Sequence, residues 1–257
     1  MEPAVGPEGM DRFKGRVVLV TGSSRGIGRG LVLAYAKEGA DVVVNYLRSR
    51  DKADDVAASV EGLGSRALVV RADVTREDQV RGMASKAAEE FGRVDILVNN
   101  AGYYEDAAVW KMDEAVWDRV LGVNLKGTFL CTKAISPGMR ERNYGRILNI
   151  SSVVGQIGIF GTSNYTAAKA GVLGFTKSVA KELVSKGVTV NALALGYFDT
   201  GMFRALPKEV QGKIEGEIPL HRPGRLDEVT EPALFLTSEA ASYITGQILH
   251  VNGGYYM

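Results

Sequence analysis

Tyr165 and Lys169, within Ser163-Asn164-Tyr165-Thr166-Ala167-Ala168-Lys169, lie four residues apart. On a helix that spacing stacks the two side chains on one face and sets an ammonium beside a phenol. A free tyrosine has a pKa of about 10 and trades its proton slowly near neutrality. A close positive charge favours the phenolate, so the spacing predicts a tyrosine drawn towards the working range of a general acid. Many helices carry such a pair as a solvated contact. Its meaning depends on what else the chain holds.

A second group with chemistry in it is Thr21-Gly22-Ser23-Ser24-Arg25-Gly26-Ile27-Gly28, between a β-branched run and a helical pattern. Gly22 permits a sharp turn, Gly26 lets backbone approach a pyrophosphate, and Gly28 allows close contact of helix and strand. The helix start adds free amides and the positive end of a dipole. The spacing is G-x-x-x-G-x-G, and a strand before with a helix after is the context a phosphate loop requires. Folds specific for NAD place an acid at the end of the second strand to hold the ribose 2′-hydroxyl. Here that strand ends Val44-Asn45-Tyr46-Leu47-Arg48, with no acid at its tip. Arg25 and Arg48 suit a 2′-phosphate instead. NADP(H) is the expected cofactor, with NAD(H) as the alternative.

The elements that must position these groups are legible as a rhythm. Short β-branched runs at 16–21, 41–47, 67–71, 94–99, 146–151, 188–194 and 247–252 alternate with helical patterns near 26–38, 51–63, 76–91, 113–142, 164–186 and 226–238. Near-continuous apolar strands separated by helices describe a parallel sheet covered on both faces. The expected architecture is a single doubly wound α/β domain of Rossmann type, seven-stranded, with ligands at the carboxyl ends of the strands. It spans 14–257. Residues 1–13 are expected to be a flexible tail, and the Gly- and Pro-containing stretch at about 196–220 a mobile substrate flap.

Composition excludes other classes. The chain has 257 residues, 46% hydrophobic and 24% charged, which suits one globular domain with a large core. A net charge of +1 supplies no bulk field for nucleic acid or anionic lipid. Cys131 is the only cysteine, which rules out an internal disulfide and a cysteine-based zinc site. It reads as an inert buried thiol. His221 and His250 lack metal-ligand spacing and read as structural. The polar start has no signal-peptide pattern and no run approaches a membrane span, so a cytoplasmic protein is expected.

Taken together, these residues make the chain resemble the short-chain dehydrogenase/reductase family, from about Lys14 to the C-terminus. Besides the glycine motif, Asn99-Asn100-Ala101-Gly102 follows the fourth strand, and Asn124 lies in Val123-Asn124-Leu125-Lys126-Gly127. Ser152 stands thirteen positions before Tyr165. The resemblance implies a catalytic tetrad of Asn124, Ser152, Tyr165 and Lys169. Tyr165 would protonate an alkoxide, Ser152 hold the carbonyl oxygen, Lys169 tune the phenol and hold the nicotinamide ribose, and Asn124 hold a water leading to Lys169. Ser151 is the rival serine, but neighbouring strand residues face opposite ways and the spacing favours Ser152. Cofactor contacts would come from Gly22, Ser24, Arg25, Gly26, Ile27, Gly28, Arg48, Asp73, Val74, Asn100, Ala101, Gly102, Tyr165, Lys169, Gly196 and Thr200. No metal is implied. Leu195-Gly196 departs from the family's Pro-Gly, with altered cofactor affinity the expected effect.

Segments such as Arg146–Gly155, Asn164–Gly171 and Ala240–Gln247 resemble the branch that reduces 3-oxoacyl groups carried on acyl carrier protein. Arg140, Arg142 and Lys186 are candidates for a basic rim facing that acidic partner, although Asn143 stands where one such base is expected. A sugar, polyol or other secondary-alcohol dehydrogenase is the runner-up. A cofactor-sensing binder without turnover would have no need of the whole tetrad. The family also implies a homotetramer, and Tyr255-Tyr256-Met257 reads as an interface segment.

Overall fold

A computed structural model describes residues 11–257; residues 1–10, most of the expected tail, lie outside the described residues. The seven strands are β1 (Val17–Val20), β2 (Asp41–Tyr46), β3 (Ala67–Arg71), β4 (Ile96–Asn99), β5 (Gly145–Ser152), β6 (Val188–Leu195) and β7 (Ile248–Val251). They form one sheet in the order β3-β2-β1-β4-β5-β6-β7. Every pairing is parallel. Side chains alternate between the two faces of a strand. Val18 and Val20 of β1 therefore join one core, with Leu31, Tyr35 and Val44. Val17 and Leu19 join the other, with Met83, Leu130 and Met139. Both faces are covered, which explains why the strands read as apolar runs rather than alternating ones.

Ten α-helices are present among the described residues: α1 (Gly26–Lys37), α2 (Arg50–Glu61), α3 (Glu77–Phe91), α4 (Glu114–Leu121), α5 (Gly127–Arg142), α6 (Val154–Ile157), α7 (Ser163–Leu183), α8 (Gly201–Arg204), α9 (Lys208–Glu217) and α10 (Asp227–Thr237). Residues of α1, α2 and α10 build the first core, and those of α3, α5 and α7 the second. From β1 the chain moves outward to β3, then returns to add β4 on the other side. That reversal opens a crevice at the carboxyl ends of β1 and β4.

Two details differ from the expectations, and two others fill in the stretch 196–220 and the C-terminus. The single helix expected over 113–142 is α4, a π-helical turn over Gly122–Lys126, and α5. A π turn adds a residue without erasing the apolar pattern, so periodicity does not report it. The folded body begins before Lys14. Phe13 is 2% exposed, packs edge-on against Tyr35 with centroids 5.1 Å apart, and donates its N–H to the Glu38 carbonyl at 2.9 Å. The stretch 196–220 holds α8 and α9 and buries Phe203 and Ile218. The aromatic C-terminus makes contacts within its own subunit. The Tyr255 hydroxyl donates to Glu217 at 2.9 Å, and its ring meets Tyr197 at 5.8 Å. Tyr256 is held through its carbonyl by Asn252 Nδ2 at 2.8 Å. Only Met257 stays fully open.

Candidate active site

The phosphate loop is fixed from below by asparagines. Asn45 Oδ1 accepts the Gly22 N–H at 2.9 Å, while its Nδ2 donates to the Val70 and Ala72 carbonyls, linking β1, β2 and β3. Asn100 Nδ2 donates to the Thr21 carbonyl at 2.8 Å and the Gly22 carbonyl at 3.2 Å. The Thr21 hydroxyl takes the N–H groups of Asn100 and Ala101 at 3.0 and 2.9 Å. Asn100, expected among the cofactor contacts, thus spends its side chain holding the loop, as does the Ala101 amide. Sequence reasoning missed Asn45, whose partners are some twenty-five residues away.

What the loop presents fits a nicotinamide dinucleotide. Gly26 has φ +57°, and no atom lies within 4 Å of where a Cβ would stand, so open ground faces the first turn of α1. Gly28 has the opposite surroundings. A Cβ there would come within 2.5 Å of Asn100 Nδ2 and 2.6 Å of the Gly22 carbonyl oxygen. Ser24 and Ile27 are partly buried. Arg25 and Arg48 are exposed and, among the described residues, make no ion pair or side-chain hydrogen bond. Asp73 sits beyond β3, its Oδ1 taking the N–H and hydroxyl of Thr75 at 2.9 and 2.8 Å, and Val74 is buried beside it. Gly102 is exposed at the end of the β4 loop. On the far side, the Gly196 N–H donates to the Val251 carbonyl at 2.9 Å and Thr200 precedes α8. Leu195, in place of the family's proline, is 5% exposed and belongs to the first core.

The tetrad residues come from three elements. Ser152 ends β5, and its Oγ accepts the Val154 N–H at 3.2 Å. Ser151 faces away, donating its hydroxyl to the Lys169 carbonyl at 2.9 Å. Tyr165 and Lys169 share one face of α7, with Lys169 Nζ 5.5 Å from the Tyr165 ring centroid. Lys169 is 4% exposed and Nζ donates to the Ile150 carbonyl at 2.9 Å. Asn124 lies in the π turn. Its Nδ2 donates to the Tyr103 and Val120 carbonyls at 2.7 and 2.8 Å, and its buried Oδ1 has no protein partner. Asn164, unread in the sequence, anchors this group. It is fully buried at the start of α7, accepts the Tyr165 N–H at 2.7 Å, and donates to the Glu105 carbonyl at 3.0 Å. An Asn opening a helix is the one signal that could have marked it.

The electrostatics correct one expectation. Although part of its ring reaches the cleft, enclosure of the Tyr165 phenol pushes it up to about 12, against the lowering influence of the Ser152 hydroxyl. Burial also pushes Lys169 down to about 8. The spacing had predicted a lowered tyrosine. Burial prevails because it disfavours both charges at once. Tyr165 is consequently an O–H donor across the neutral range, suited to giving a proton to a developing alkoxide.

A family model described as enoyl-(acyl carrier protein) reductase matches residues 22–256. The 3-oxoacyl-[acyl-carrier-protein] reductase of Staphylococcus epidermidis is 44% identical over 93% of this chain and 98% of its own. That of Synechocystis sp. is 47% identical over 96% and 100%. The crystal structure of a candidate short-chain alcohol dehydrogenase from Sinorhizobium meliloti 1021 superposes with a TM-score of 0.89 at 38% identity, covering 94% of this chain and 96% of that one. With the sheet order and the cradle at its switch point, these likenesses define the class: the chain belongs to the short-chain dehydrogenase/reductase family. It is an oxidoreductase that uses a nicotinamide cofactor.

Proposed function

We propose that this enzyme reduces the 3-oxo group of a 3-oxoacyl thioester, carried on acyl carrier protein, with NADPH. The observation that carries the reading is Tyr165 standing as a protonated donor with Lys169 on α7, beside Ser152 at the end of β5, in a chain whose relatives of that activity align over nearly its full length. The nicotinamide, when bound, supplies the hydride. The Ser152 hydroxyl holds the carbonyl oxygen, and Tyr165 protonates it as negative charge develops. Lys169 holds the ribose. The unpartnered Oδ1 of Asn124 is suited to accept from a water that resupplies protons. Arg25 and Arg48, exposed and unpaired among the described residues, take the 2′-phosphate.

The proposal includes a homotetramer in the cytoplasm, with a mobile flap over 196–220. Phe129 on α5 and Val184 after α7 are 44% and 49% exposed, which supports a buried contact between those helices and their copies. Among the described residues no helix is long and apolar enough to cross a membrane. The basic rim needs revision within one subunit. Arg142 ends α5 and donates to the Val94 carbonyl at 2.8 Å, and Lys186 precedes β6. Both lie at the amino-terminal edge of the sheet, because a helix leading into a parallel strand ends where that strand begins. The site is at the opposite edge.

Spectrophotometric NADPH oxidation tests the assignment. Turnover is expected with acetoacetyl-CoA as a carrier-free thioester, and none with crotonyl-CoA, which offers a double bond in place of the 3-oxo group. Reduction of sugars without reduction of acetoacetyl-CoA would overturn the substrate class and favour the secondary-alcohol alternative.

A further inference from the structure

Tyr104 belongs to no motif of the phosphate loop or the tetrad, yet it packs edge-on against Tyr165, with centroids 5.4 Å apart and planes at 80°. It lies on the loop leaving β4, two residues beyond Gly102, so the strand that walls the cofactor cradle also delivers a second phenol to the reacting one. Its ring is 42% exposed at the cleft. Tyr197, on the loop after β6, is a third phenol in the same space, and the charge that Tyr104 or Tyr197 would carry raises Tyr165. Burial, followed by the neighbouring Asp106 carboxylate, pushes Tyr104 up to about 12. The exposed Asp106 carboxylate also draws the Tyr104 hydroxyl through a side-chain hydrogen bond, so the O–H is kept as a donor and would exchange this carboxylate for a substrate oxygen.

Two protonated phenols in ring contact can serve two oxygens of one small substrate only if those oxygens are close together. A 1,3-dicarbonyl unit meets that condition, its two carbonyl carbons being separated by a single methylene. We propose that Tyr104 is a specificity-determining residue whose hydroxyl donates to the ester or thioester carbonyl of a 3-oxo ester or thioester while Tyr165 and Ser152 hold the 3-oxo oxygen. A simple ketone offers no second acceptor and gains nothing from the Tyr104 donor, whereas a 3-oxo ester or thioester gains a hydrogen bond. This rests on the reading that Tyr165 protonates the reacting carbonyl.

Tyr104→Phe keeps the ring and its packing and removes only the donor. NADPH oxidation would be followed with ethyl acetoacetate, acetoacetyl-CoA and cyclohexanone, together with NADPH binding by fluorescence. The expected result is a three- to ten-fold loss of kcat/KM on both 3-oxo compounds, on the order of one net hydrogen bond and carried mainly by KM. Cyclohexanone turnover and NADPH affinity should stay within about two-fold, a pattern that a merely structural role for Tyr104 would not give. Equal losses on all three substrates, or no loss on the 3-oxo compounds, would overturn the proposal and leave the wider function standing. An unaltered protein that reduces neither 3-oxo compound would overturn both.

Discussion

At the scale of single residues, Tyr165 and Lys169 carry opposite shifts with one common cause. Replacing Tyr165 with Phe removes the acid and little volume, so kcat for acetoacetyl-CoA should fall by about a hundred-fold or more, with NADPH binding retained. Near-normal turnover would remove Tyr165 from the mechanism. The pH profile separates the pair. Tyr165, raised to about 12, stays protonated through the assay range, whereas Lys169, lowered to about 8, is charged below that value and neutral above it. Reductive kcat/KM should therefore decline as pH rises through about 8. Lys169→Arg, which stays charged, should lose that decline even at reduced activity, whereas a decline unchanged in this variant would assign it to another group. For the cofactor, Arg48→Ala should weaken NADPH binding about ten- to a hundred-fold, the worth of one charge-assisted contact, and leave NADH unaffected. Steady-state kinetics with both cofactors would show it. A wild-type preference for NADH would mean that the strand tip at Tyr46 had been misread.

At the scale of elements, Gly28 is where α1, the phosphate loop and the β4 loop meet. Gly28→Ala puts a Cβ 2.6 Å from the Gly22 carbonyl oxygen, so backbone must move. Overpacking of this kind costs about 1–3 kcal/mol, and about 2–4 °C of Tm follows each kcal/mol in a chain of this size. Calorimetry should find Tm several degrees lower, with weaker NADPH binding; an unchanged Tm would mean the loop relaxes freely. The elements themselves were the most legible part of the sequence. Runs such as Val17-Val18-Leu19-Val20 are apolar because both faces of a central parallel strand are buried, and burial of that kind leaves few other readings. The π turn was not legible, since Asn124 keeps its apolar neighbours whether the turn holds four residues or five. Nor were Asn45 and Asn164. Each acts on backbone that only the fold brings near, from strands in one case and the β4 loop in the other. Tyr104 went unread for the same reason: its contact with Tyr165 crosses from one loop to another element.

At the scale of the whole molecule, the proposed tetramer predicts a mass in solution of about four times 27.6 kDa by light scattering. A monomer at micromolar concentration would contradict it. Since Tyr255 is bonded to Glu217 at the end of α9, removing Tyr255–Met257 should disturb the flap more than the assembly, raising KM while the scattering mass persists. Loss of the assembly with KM unchanged would favour the interface role expected of this segment from its sequence. Cys131 offers a way to watch that flap. It is 1% exposed on α5, and burial pushes its thiol up to about 12, so it is silent towards alkylating reagents at neutral pH. The chain is thus a blank background for thiol labelling. Gly212→Cys, on the exposed side of α9 with nothing within 4 Å of the new Cβ, would provide a single addressable position. A fluorophore attached there would report closure of the proposed flap, if substrate brings it about, as a change in anisotropy, with no native cysteine to remove first.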